Sequence, residues 1–462
     1  MSDKPTNKIE LPLPVSLFNK SFPYQGGIID PMWPMTYDDA IGVATESKAE
    51  DRDVLEQIIV GSRDGSEYTV RERYAAEYSG RTARQDFLTI LRANVLAADR
   101  AELQALLILL TQFAVKEIEK GPSDAHVGVL ETIPKSYRVT VTVGFGASLF
   151  IDQDGQDRYG LAAARPQWLK TMPTFPGDAE TFDTDNQASD LILLISSDHP
   201  YVNTSIARFF SEYLNPRFSN IHHGANPRPM LRFFDVEQGF GRKDKREFLR
   251  FDDGIQNLQM DRNEMKRLVF VEDIDDEPEW CLNGSYMVYR KITENMPLWE
   301  GPMKDHQEAM IGRHRETGRP LSRESRGAGG LTPVFASHTD PKDGALNSHI
   351  RKVQPRRNTP DLFGLNDLER RFLRRPYPFF DGIDAQGRSK NGLHFVAFMK
   401  SIQQQFEHVT NMWQMNTDFP VPDTGKDVLY AAGVLTTVDG GYYFCPPGLR
   451  SKNDYFGRGM FE

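Results

Sequence analysis

The order of periodic segments along the chain is the strongest constraint on its fold. A short candidate strand at 25–30 comes first. An apolar pattern over 86–120 predicts one long helix: Leu103, Leu107, Leu110, Ala114 and Ile118 recur at three- and four-residue steps, and Gly121 follows as a stop. Residues 136–143 alternate, with Tyr137, Val139, Val141 and Val143 on one face and Ser136, Arg138, Thr140 and Thr142 on the other. That is the pattern of a half-buried strand. Residues 191–195 read as a buried strand, and 203–214 as a helix with Ile206, Phe209, Phe210 and Tyr213 on one side. The second half repeats the succession. It has an alternating strand at 285–292, a short helix at 303–310, a strand at 393–399, a helix at 402–413 and a last strand at 440–444. Strand–helix–strand–strand–helix–strand is the ferredoxin-like order, and each half shows five of its six elements in sequence. It predicts an α+β fold of duplicated ferredoxin-like halves, with antiparallel sheets and helices packed on them. The halves share element order but no residue motif. The expected divisions are a polar tail at 1–20, a first half at 21–240 with surface elaborations such as 34–80, and a second half at 241–462.

Composition narrows the function classes. Of 462 residues, 39% are hydrophobic and 11% aromatic, enough for a sizeable core. Lys plus Arg is 55 against 65 Asp plus Glu, a balance of −10 that argues against general nucleic-acid binding. Two cysteines, Cys281 and Cys445, exclude a disulfide framework, a Cys-built zinc site and a Cys-ligated iron–sulfur cluster. The start of the chain shows no secretion signal and no twin-arginine pair, and no segment is apolar enough to span a membrane. The expectation is a cytoplasmic protein with no membrane or nucleic-acid partner.

Common catalytic signatures are missing: no Walker loop, no G-x-G-x-x-G between strand and helix, no H-E-x-x-H and no G-x-S-x-G. His222 and His223 are adjacent rather than at i,i+4 and read as a solvated loop. Two segments carry more. Residues 250–254 place Asp252 and Asp253 before Gly254, which reads as an Asx-type turn or as an acidic site. His349 stands among Arg351, Lys352 and Arg356, with Arg374 and Arg375 downstream, inside the long Gly-, Pro- and Arg-rich stretch 312–378. That reads as a basic surface loop or as an anionic ligand held beside a histidine.

Taken with the sequences around 142–150, 283–292, 311–313, 392–395, 440–444 and 453–457, these segments resemble the dye-decolourising peroxidases. Those are haem proteins of two ferredoxin-like halves. The matches run collinearly from about residue 136 to the C-terminus. The resemblance implies one haem b per chain, in the C-terminal half. It implies His349 as the proximal iron ligand, Asp253 as the distal aspartate and Arg374 as the distal arginine. Gly254, Ile255, Gln256, Gln354, Pro355 and Arg356 match positions lining the haem. It also implies hydrogen peroxide and small aromatic reductants such as dyes or phenols as partners. The oligomeric state stays open between monomer and homo-oligomer.

Those implied roles are chemically coherent. A neutral imidazole as fifth iron ligand leaves the sixth position for peroxide. Breaking the O–O bond needs a base to move a proton from the near oxygen to the leaving one, a task for Asp253. A guanidinium at Arg374 stabilises the charge that develops there. Arg356 and Arg351 are candidates to pair with the haem propionates.

The chain departs from the family pattern at four places. Arg250 replaces the first Gly of G-x-x-D-G, which predicts bulk and charge at the distal side. Asp252 adds a carboxylate and is expected to pair with Arg250. Pro376 replaces a Gly, and Gln354 an Asn. His394 reads as a core or haem-pocket residue, His408 as exposed and the methionines as core. The tryptophans and tyrosines read as ordinary packing or as electron relays. Two other functions remain: a haem- and iron-handling protein with weak peroxidase activity, and a non-catalytic ferredoxin-like protein that binds an anion.

Overall fold

The computed structural model describes residues 85–120, 140–182, 188–213, 230–241, 246–258, 267–335, 339–357, 360–361, 364–449 and 454–462. The strand read at 25–30, the tail, the 34–80 region, the start of the 136–143 strand and the His222–His223 pair lie outside them.

The N-terminal half runs β1 (Phe87–Val95), α1 (Arg100–Lys120), β2 (Thr140–Gly146), β3 (Leu191–Ser197), α2 (Pro200–Tyr213) and β4 (Leu231–Phe240). The C-terminal half opens with β5 (Ser285–Glu294), α3 (Met296–Glu300) and α4 (Gln307–Ile311). A small hairpin of β6 (Glu324–Arg326) and β7 (Thr332–Val334) and the short helix α5 (His349–Val353) follow. Then come β8 (Leu373–Arg374), β9 (Tyr377–Ile383), β10 (Ser389–Met399), α6 (Val428–Ala431) and β11 (Leu435–Cys445). Between β10 and α6 the chain forms two wide helical stretches, Ile402–Glu407 and Val409–Gln414.

The strand order is β4-β1-β3-β2-β11-β5-β10-β8, with β9 also on β10. Each half contributes the same arrangement: the last strand beside the first, then the third, then the second. The halves join where β2 meets β11 through Gly146–Tyr443 and Phe145–Phe444, so among the described residues one antiparallel sheet of nine strands runs through both. Close approach of β2 to its neighbours on both sides depends on glycine. A Cβ on Gly146 would fall 1.9 Å from the Ser189 carbonyl oxygen ahead of β3, and one on Gly144 2.8 Å from Ile192 on β3 and 3.0 Å from Tyr443 across the seam.

Two expectations from periodicity need correction. Residues 86–120 are not one helix, because β1 occupies 87–95 and the helix starts at Arg100. β2 is not half-buried, since Thr140 and Thr142 are as covered as Val141 and Val143. Both have one cause: the sheet is buried on both faces. Leu91, Ala93, Val95, Val141, Val143, Leu193 and Ile195 face the layer of α1 and α2. Leu88, Ile90, Ile192, Leu194, Met287 and Tyr289 pack on the other side against Leu258, Leu268, Val269 and Phe270. A two-sided strand loses its polar alternation.

On β5 the face shared with α1 and α2 continues into Arg290, Ile292 and Glu294, and on β10 into Leu393 and Phe395. There the layer opens into a cavity.

Candidate active site

The cavity has a volume of about 270 Å³. Its floor is the strand face just described. Its walls come from Glu247, Leu249 and residues 251–256, Ile311 and Arg313, α5 and the residues after it, and residues between 370 and 376. The side with Phe406, Val409, Trp413, Met415 and Leu429 is apolar.

His349 opens α5 and lines this cavity. Its Nδ1 lies 2.7 Å from Oδ2 of Asp427, a carboxylate with no solvent exposure. Asp427 is held in turn: its Oδ1 accepts from the Leu429 N–H as the cap of α6, and its Oδ2 also accepts from Gln414 Nε2. With Nδ1 so engaged, Nε2 is the imidazole nitrogen left for a metal, the arrangement that fixes the tautomer of a ligating histidine. Asp427 had no sequence motif to reveal it beyond its position before a short helix, 78 residues from its partner.

Asp253, Gly254, Ile255 and Gln256 all lie on the wall, as do Gln354, Arg356 and Arg374. Pro355 is buried but is not among the lining residues. Asn257 ties the Asp253 loop to β8. Its Nδ2 donates to the Arg374 carbonyl at 2.7 Å, and its Oδ1 accepts the Arg374 N–H at 2.9 Å. This two-way clamp sets Asp253 and Arg374 in the same cavity.

Arginines dominate one end. Arg356 takes a left-handed backbone at φ +65° and donates from Nη2 to Gln256 and Gln354. Its Nε and Nη1 are buried without a hydrogen-bond partner. Burial, and then the charges of Arg313, Arg371, Arg326 and Arg374, push its guanidinium down to about 9. Arg313 is anchored through Nη1 on the Gly318 and Leu331 carbonyls and is pushed down to about 10 by burial and by Arg374. Buried cations pressed together with unused donors make a site for an anion. The donor set therefore fits a haem: an imidazole nitrogen for iron, apolar walls for the ring and unpaired arginine donors for the carboxylates.

Several expectations change. Arg351 is not on the wall; its Nη1 donates to the Asp340 and Gly344 carbonyls and its cation lies over Phe335. Arg250 does not pair with Asp252 or crowd the cavity. Its guanidinium reaches outward to Glu300 at 2.6 Å. Its backbone sits at φ +70°, the conformation a glycine would adopt freely. Of the two readings of His394 the core one holds: it lies between Tyr289 and Phe379 and is pushed down to about 3 by burial. His408 is half-buried, edge-on to Trp413. Motif reading also gave no role to Arg313 or Asn257, or to Glu247 and Glu294.

Comparison with known proteins agrees with this picture. Residues 81–215 match the family description "Dyp-type peroxidase, N-terminal", and residues 244–450 match "Dyp-type peroxidase, C-terminal". The chain belongs to the Dyp-type peroxidase family. Membership makes it an oxidoreductase of the peroxidase class and bears out the duplicated ferredoxin-like fold. Similar curated proteins include the deferrochelatases of Escherichia coli K12 and Shigella flexneri. Each is 26% identical, over 82% of this chain and 84% or 85% of theirs. Similar solved structures include ferric DtpA from Streptomyces lividans (26% identity, TM-score 0.63, 82% of this chain and 94% of that one). The DyP-type peroxidase from Cellulomonas bogoriensis has the same fold (23% identity, TM-score 0.62, 82% and 94%). Among the described residues of this Dyp-type peroxidase, no helix is long and apolar enough to cross a membrane.

Proposed function

We propose that the cavity holds one haem b, with His349 on the iron, and that this peroxidase oxidises dyes, phenols or similar reductants by one-electron steps. The observation that carries this reading is the His349–Asp427 pair in the same cavity as Asp253, Arg374 and the unpaired donors of Arg356. When bound, the haem supplies the redox centre for peroxide reduction. Asp253 takes the proton of the bound peroxide and returns it to the departing oxygen. The Arg374 guanidinium offsets the negative charge that develops on that oxygen. Asp427 orients the imidazole and strengthens it as a ligand. Arg356, with Gln256 and Gln354 beneath it, takes a haem carboxylate. In this reading 241–462 is the haem-bearing unit and 21–240 the companion half.

The purified chain is expected to show a Soret band and peroxide-dependent dye oxidation, both absent in His349→Ala. Asp253→Asn and Arg374→Leu are each expected to slow reaction with peroxide by roughly 10²-fold or more. A folded chain that takes up no haem sinks the proposal, and unchanged rates in both variants sink the distal roles. The likeness to deferrochelatases favours a second reading, haem and iron handling with weak peroxidase activity. Measuring iron released from haem against peroxide turned over separates the two.

A further inference from the structure

Two buried carboxyl groups share the cavity and have no part in the roles above. Glu294 ends the floor strand β5, in step with Arg290 and Ile292, and is 5% exposed. Glu247 lies in the loop that carries Asp253, and its Oε2 accepts the Leu249 N–H at 2.5 Å. The Phe251 N–H also serves it, and the two glutamates are hydrogen-bonded to each other. Two carboxylates in that contact repel strongly when both are ionised, so at rest one proton lies between them. Glu247, with two backbone donors, is the natural carboxylate, which makes Glu294 the acid. Burial pushes both carboxyls above the usual carboxylate range, Glu294 well above it, and each also feels the charge of Asp253. Glu294 Oε2 is buried without a hydrogen-bond partner. The groups facing the pair are Asp253 on its loop, Arg290 on β5 and Asn391 on β10, with Arg313 and Arg374 on the cavity wall.

We propose that Glu294 and Glu247 form a one-proton reservoir that recharges Asp253. Reducing peroxide to two waters consumes two protons along with two electrons. A bulky reductant oxidised outside the cavity delivers an electron without placing a proton inside. In the proposed step an O–H bond on Glu294 breaks and one on Asp253 forms, relayed by a cavity water at Oε2, and no electron moves. Glu294 is left as a carboxylate beside Glu247, and their repulsion draws the replacement proton from solvent. Glu294 thus acts through Asp253 and not on substrate. The inference rests on the proposed role of Asp253, and its test separates the two.

Infrared spectra of the haem-loaded protein at neutral pH should show a protonated-carboxyl C=O band that shifts in heavy water. The band should vanish in Glu294→Gln and persist in Asp253→Asn. Glu294→Gln should keep its Soret band, hold kcat/KM for peroxide within about twofold, and lose roughly tenfold in kcat with a dye at neutral pH. Its pH profile should move to lower pH. Absence of the band overturns the reservoir while leaving Asp253 in place, and so does a wild-type pH profile and kcat in Glu294→Gln. Unchanged peroxide kinetics in Asp253→Asn, with the band present, overturns the role of Asp253. If Glu294→Gln fails to take up haem, Glu247→Gln answers instead. It removes the acceptor carboxylate and should shift the same band, and an unshifted band overturns the pairing.

Discussion

At Arg250 the chain holds φ +70° with a side chain that turns away from the cavity to Glu300. A left-handed backbone costs a non-glycine residue about 1–2 kcal/mol. Glycine would remove that strain but add about 0.5–1 kcal/mol of freedom to the unfolded chain. It would also forgo an exposed ion pair worth at most about 1 kcal/mol. Arg250→Gly is therefore expected to leave stability within about 1 kcal/mol and peroxide turnover unchanged. A loss above about 2 kcal/mol in urea unfolding contradicts this, as does altered turnover. His394 sets a different dependence. Its Nδ1 meets the Tyr289 hydroxyl at 3.2 Å and its Nε2 the Gln238 carbonyl at 3.3 Å, and burial pushes it from 6.5 to about 3. A depressed histidine contributes stability that is present above its unfolded value and lost as pH falls toward the folded one. Wild type should therefore lose ground to His394→Phe as pH drops from 6.5 to 3. A stability difference that stays constant with pH would show that His394 does not titrate in this way.

Between strand β1 and helix α1, the boundary that periodicity missed is set by one cap. Asp99 Oδ1 accepts the N–H groups of Ala101 and Glu102, and Glu102 reaches back to the Ala98 N–H. Asp99→Ala should cost about 1 kcal/mol in thermal or urea unfolding. No measurable loss would mean that packing alone sets the helix start. The Asp99–Glu102 signal was present in the sequence. It was overridden because Leu88, Ile90, Leu91, Ala93 and Val95 are apolar at helical and strand spacing alike when both faces are buried. Elements with one dominant face, such as α2, and strands with uniform apolar character, such as β3, were legible to within a few residues. The site divides along the same line. His349, Asp253 and Arg374 stood in recognisable local strings. Asp427, Asn257, Glu247 and Glu294 act through contacts that only the folded chain creates, and nothing beside them in sequence marks them.

Across the whole molecule, stability of the joint sheet depends on how closely its strands pack. A Cβ at Gly146 meets the Ser189 carbonyl oxygen, a backbone atom that cannot rotate away, so β2 must part from the chain entering β3 at the point where it also pairs with β11. Gly146→Ala should cost about 1–3 kcal/mol, as overpacking does. It should lower the unfolding temperature of both halves together, since they share the sheet. Separate transitions, with only one displaced, would contradict a common sheet.

The seam also fixes when this protein can finish folding on the ribosome. β11 comes after the other described strands in chain order, yet it lies near the middle of the sheet, between β2 and β5. Until residues 435–445 emerge, the first half carries an open β2 edge, and the second half lacks the strand that borders its cavity. Open strand edges are templates for pairing with other chains. Synthesis therefore passes through a window in which the other described strands all exist but neither half is closed. A chain cut short just before Leu435 loses the closure of both halves at once.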